Sequence, residues 1–247
     1  MEWWQVPALL AGGFFCGVAN ALAGGGSFVT LPLLLLIGLP PQIANATNRV
    51  AIVLQCVAGL GAYQKRGVVP WRDLGRLAVP AVLGSLAGAY LAAFLDETAF
   101  RRAAAVLFAV MAGTVFIDPR RWARENSVVR GRPVFYPLFF LMGVYGGFLQ
   151  AGVGVLLISS LVLLCGYDVV RGSALKFALA LSFTTAALLV FAGVGQVDWA
   201  IGLCLAAGSM AGGFVGARLV MAKGSPLVRA FVVVAALAAI AELLFGG

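Results

Sequence analysis

The sequence predicts an all-α protein: a polytopic bundle of membrane helices made of two homologous halves, each opening with a glycine-broken helical hairpin. Three observations carry this. Of 247 residues, 62% are hydrophobic and 11% charged, with a mean hydropathy of +1.04. A soluble domain is roughly 45–50% apolar and about 25% charged. The apolar residues also gather into runs near the roughly 20 residues that cross a bilayer. Finally, the pattern repeats at a fixed offset of 128 positions.

The offset relates Trp71 to Trp199, and Ala23, Gly24 and Gly26 to Ala151, Gly152 and Gly154. It pairs Gly38 with Gly166, Gly84 and Gly88 with Gly212 and Gly216, and Arg101 with Arg229. No gap is needed from residue 23 to residue 229. The halves are expected at 1–118 and 134–247, joined by a basic cytoplasmic linker, 119–133.

In the first half, an apolar segment Val6–Ala23 runs into Gly24-Gly25-Gly26 and a short piece Ser27–Ile37. Spans follow at about Ile43–Tyr63, Leu74–Leu95 and Thr98–Ile117. The second half repeats this with Val134–Ala151, Gly152-Val153-Gly154, Val155–Cys165, and spans at Val170–Gly193, Trp199–Met221 and Leu227–Phe245. Small-xxx-small pairs such as Gly84/Gly88 and Gly208/Gly212 are read as close helix packing in lipid. Ala21-Leu22-Ala23 resembles a cleavage site, but no Lys or Arg precedes the apolar run. The segment is expected to be retained.

Charge sets the expected orientation. The linker carries Arg120, Arg121, Arg124, Arg130 and Arg132, so it is placed inside. If the halves are inverted, every basic residue except Arg49, Arg101 and Arg102 falls inside. If they are parallel, Arg171, Lys176, Arg218, Lys223 and Arg229 fall outside. Inversion is favoured, and it requires the first apolar region of each half to go in and come back. As one helix, residues 6–37 would run about 48 Å at ~1.5 Å per residue, too long for one ~30 Å crossing and short for two. A helix broken at the glycines fits, and such breaks at matching positions mark transporter binding sites.

Composition excludes several functions. There is no histidine, hence no His relay, His-bound metal or Ser-His-Asp triad. The net charge of +8 sits in connectors, with no basic helix or aromatic interleaving for nucleic acid. Cys16, Cys56, Cys165 and Cys204 form no CxxC and are read as buried hydrophobes. No acid lies mid-span, and Gly24-Gly25-Gly26-Ser27 lacks a P-loop's Gly-Lys-Ser/Thr ending. No enzyme, metal or cofactor is expected. The expected partners are a small anion and the lipid bilayer, and a homo-oligomer is compatible with the sequence.

Each short helix starts just after glycines. Its first N–H groups lack intrahelical partners and the helix dipole adds partial positive charge. Such an end suits an anion. The candidate substrate-binding residues are Gly24, Gly25, Gly26, Ser27, Gly152 and Gly154, with the polar cluster at the next helix: Asn45, Thr47, Asn48, Arg49, Ser173 and Lys176. Arg49 and Lys176 either meet the anion or snorkel to headgroups. Asn20, Gln55, Gln150, Thr184 and Thr185 line the same cavity or make interhelical hydrogen bonds. A bulky residue at Gly25 is expected to abolish transport.

Ala23-Gly24-Gly25-Gly26-Ser27, Pro32, the run 33–41 and Ala44-Asn45-Ala46-Thr47-Asn48 resemble the TauE/SafE family of sulfite exporters. The second half departs with Gly152-Val153-Gly154 and with Ser160 where the first has Pro32. Asn48 stands where the family often has a small hydroxyl residue. The resemblance implies a secondary transporter of sulfite, a sulfonate such as sulfoacetate, or a related anion, multi-pass in the bacterial inner membrane. An anion channel, or a carrier of another small anion, is the alternative.

Overall fold

The computed structural model describes residues 2–114 and 134–224. The predicted span Leu227–Phe245, the linker 119–133 and the Arg101/Arg229 pair's second member lie outside the described residues. Within them the chain is helical, with no strand. The order is α1 (Gln5–Leu22), α2 (Ser27–Leu36), α3 (Pro41–Lys65), α4 (Trp71–Phe94), α5 (Glu97–Thr114), α6 (Phe135–Phe148), α7 (Val153–Ser159) running into a π turn (Ser160–Leu164), α8 (Val169–Gly193) and α9 (Trp199–Lys223). Among these, α1, α3, α4, α8 and α9 are long and apolar enough to cross a bilayer. The chain is a multi-pass membrane protein.

Local sequence sets the boundaries. Pro41 occupies the first turn of α3, where its missing N–H costs nothing. Asp168 caps α8 by accepting from the Val170 and Arg171 amides, and Asp198 caps α9 by accepting from Ile201. Left-handed glycines stop the helices in matched pairs: Gly38 and Gly166, then Gly67 and Gly195. Trp71 and Trp199 open α4 and α9, each 49% exposed, as suits interfacial anchors. Leu36, Val79, Leu83, Leu91 and Leu189 are exposed on the outside, where a bilayer is their natural solvent.

Packing crosses between the halves: α1 lies along α9, α6 lies along α4, and α3 meets α8 at the centre. Backbones touch at the small residues. A Cβ added at Gly84 or Gly88 would strike the Phe140 or Val144 carbonyl, and one at Gly208 or Gly212 would strike Leu10 or Phe14. Gly84→Ala is therefore expected to push α4 off α6, costing about 1–3 kcal/mol as overpacking does. A melting temperature in detergent unchanged from wild type would contradict that.

The contacts correct one sequence expectation. Gly84 meets Phe140 while its counterpart Gly212 meets Phe14, so α1 and α6 correspond at 126 positions, not 128. The offset of 128 holds from α3 onward, where Pro41–Lys65 matches Val169–Gly193. The two extra residues are absorbed between Val153 and Leu164. There the helix loosens into a π turn, which accommodates insertions without ending the helix.

Candidate functional site

Both predicted breaks are present. At the first, the Ala23 and Gly24 amides still bond back to Ala19, and Gly24 then turns left-handed at φ +86°. Asn20 holds the new helix: its Oδ1 accepts from the Gly26 amide at 2.7 Å and its Nδ2 donates to Gln55 at 3.2 Å. At the second, Gln150 and Gly152 are both left-handed, at φ +65° and +74°. Among the described residues, the amides of Gly25, Ser27, Gly152 and Gly154 have no protein acceptor.

The breaks meet backbone to backbone. A Cβ on Gly154 would lie 2.5 Å from the Gly24 Cα and 2.8 Å from its carbonyl oxygen. Only glycine at both positions permits that approach. Beside the contact lies a cavity of about 30 Å³, lined by Gly24 and Ser27 from one break and Gln150, Val153 and Gly154 from the other. Gln55 and Cys56 of α3 and Lys176 and Phe177 of α8 close it, and Asn20 is its one lining residue that is not buried. At about 10–15 Å³ per water, it holds roughly two waters and must widen for a polyatomic anion.

Two cations are buried here, Arg49 at 0% and Lys176 at 3% exposure. Neither snorkels. Each closes the C-terminal end of the other half's broken helix. Lys176 Nζ donates to the Asn20 and Ala21 carbonyls of α1 at 2.8 and 3.0 Å. Arg49 donates to the Gly146 and Gly147 carbonyls of α6 at 2.9 and 2.6 Å, and to Gln150 Oε1 at 2.9 Å. Asn45 adds a third cap, donating to the Phe148 carbonyl at 2.9 Å. Helix C-termini carry partial negative charge, which offsets part of each cation. Among the described residues the ion pairs are Arg101–Glu97 and Arg171–Asp168, both exposed, so neither buried cation has a carboxylate partner. Lys176 has three N–H donors, two of them used on α1, and it alone of the two lines the cavity.

The remaining candidates divide. Ser27 joins Asn48 and Thr30 in a chain: Thr30 donates to Asn48 at 2.7 Å and Asn48 to Ser27 at 3.2 Å. Gly25 sits beside the Phe28 ring, away from the backbone contact, so the tight position is Gly24 rather than Gly25. Gly26 packs against Cys16 and Asn20. Thr47 accepts from the Asp198 amide at 3.0 Å and secures the start of α9 instead of facing the cavity. Ser173, at Asn45's repeat position, is buried outside the cavity lining. Asn20 and Gln55, within helices, and Gln150, at the second break, are amide side chains that line the cavity beside the candidate substrate-binding residues.

Broken helices meeting inside a bundle, with buried cations beside them that lack a carboxylate partner, point to a membrane transporter. The family model for sulfite exporter TauE/SafE matches residues 9–243, and the chain belongs to that family. It is 28% identical over 238 residues to a probable membrane transporter protein of Haemophilus influenzae, covering 94% of this chain and 92% of the relative. It is 28% identical over 245 residues to the probable membrane transporter protein YfcA of Escherichia coli K12, covering 97% and 91%. A Sinorhizobium probable membrane transporter protein, ORF9, is 27% identical over 237 residues, covering 96% and 91%. No solved structure matches.

Proposed function

We propose that this protein is a secondary transporter of a small sulfur-containing anion across the bacterial inner membrane. Sulfite, or a sulfonate such as sulfoacetate, is the substrate class. The observation that carries the reading is the buried Lys176 ammonium, which lines the cavity between the two breaks without a carboxylate partner. A buried charge is costly unless paired, and an anion in the cavity is the missing counter-charge. The free Ser27 and Gly154 amides beside it add donors at helix starts. The choice of sulfur oxyanions rests on the family.

The mechanism is alternating access. Two inverted halves, 1–118 and 134–247, rock about the breaks and expose the anion to one side at a time. The narrow cavity favours this over a continuous channel. Liposomes holding the purified protein test it with sulfite, sulfate, thiosulfate, sulfoacetate and chloride. The expected result is saturable uptake of sulfite or sulfoacetate, accelerated by the same anion inside. Linear, unaccelerated flux would mean a channel, and no flux of any sulfur anion would overturn the reading.

A further inference from the structure

Consecutive residues of the second break face different cavities. Gln150 lines the central one beside Lys176. Leu149 lines a wider one of about 590 Å³, bounded by Leu31, Leu35, Phe100 and Asn45, with Glu97 and Arg101 also on its wall. The segment 149–150 therefore borders both cavities.

That segment is held, and held under strain. Gln150 is the one non-glycine residue with positive φ among those described, a conformation that needs surrounding contacts to persist. Those contacts are Arg49 Nη1 on Gln150 Oε1 at 2.9 Å and Gln150 Nε2 on Thr184 Oγ1 at 3.0 Å. Asn45, which lines the wide cavity, pins the adjoining Phe148 carbonyl. Asn45 Oδ1 and Arg49 Nε are buried here without partners. Buried polar groups normally find partners, and a second arrangement of this segment would give these two atoms room to do so.

We propose that residues 149–152 form a movable partition between the two cavities. The anion passes from the wide cavity to Lys176 when the partition swings aside. Arg49 and Thr184 are positioning residues that set how often it opens. This rests on the anion-carrier reading above.

Thr184→Val and Arg49→Lys test it. Thr184→Val removes a contact to Gln150 and leaves the α6 caps intact. Arg49→Lys keeps the charge but cannot reach all three acceptors. Sulfite affinity is measured by titration of the purified protein, and the maximal counterflow rate in liposomes. In Thr184→Val the rate is expected to rise roughly three- to tenfold, the worth of one buried hydrogen bond, with sulfite affinity within about twofold of wild type. Arg49→Lys shifts the rate the same way and at least as far. If Arg49→Lys fails to fold, Thr184→Val decides alone. Wild-type rates in the folded variants, or affinity moving in step with rate, would overturn the partition while leaving the carrier intact. Wild-type protein that binds neither sulfite nor sulfoacetate would overturn both.

Discussion

Replacing Lys176 with methionine is expected to weaken binding of the transported anion at least about thirtyfold. The substitution keeps the unbranched stem and removes only the ammonium. Truncating one partner of a buried, hydrogen-bonded charge pair costs about 2–5 kcal/mol, and each ~1.4 kcal/mol is tenfold in affinity. The fold should tolerate the loss. The Asn20 and Ala21 carbonyls give up a donor, which costs about 1–3 kcal/mol, but the cost of burying an unpaired charge disappears with it. A titration with sulfite, beside a melting curve, separates the two effects. Affinity equal to wild type in a folded variant would reduce Lys176 to a helix cap and leave the cavity without its cation.

Gly154→Ala is expected to cut transport at least tenfold, and Gly25→Ala to leave it near wild type. Gly154 has ordinary helical φ, so alanine brings no strain of its own, only a collision with Gly24. The atoms struck are backbone, which moves only with the whole break. Overpacking of this kind costs about 1–3 kcal/mol, and the cost here falls on the contact that shapes the cavity. At Gly25 the new methyl would meet only the Phe28 ring, at 3.3 Å, and that side chain turns aside. Counterflow rates for the two variants at matched protein levels check the contrast. Equal rates would mean that the close approach of the breaks is incidental.

Much of this was legible from the residues. Within the described residues, the spans read from hydropathy agree with the helices to within a few positions, because a bilayer leaves little choice about where apolar runs begin and end. The glycine clusters at 24–26 and 152–154 marked both breaks by recurring at matching positions, although Gly12-Gly13 and Gly212-Gly213 lie within unbroken helices. Trp71 and Trp199 announced the repeat, and both open helices. The two-residue slip was hidden because the Ala-Gly matches at 128 continue through it, and a π turn has no sequence signature. The roles of Arg49 and Lys176 were hidden for a different reason. The sequence locates them at the start of α3 and α8, but their acceptors are carbonyls on α6 and α1, about a hundred or more residues away in the chain. Only the crossed packing of the halves brings them together. For Asn20, Gln55 and Gln150 the sequence left cavity lining and interhelical hydrogen bonding equally open, and all three bond to another segment while also lining the cavity.

Diffraction from crystals grown with selenite, the heavier analogue of sulfite, measures the anion's position by its anomalous signal. A peak within hydrogen-bond reach of Lys176 Nζ, beside the contact of Gly24 with Gly154, is the predicted result. A saturated crystal whose peaks all lie elsewhere, with that space holding only water, would contradict an anion site at the meeting of the two broken helices.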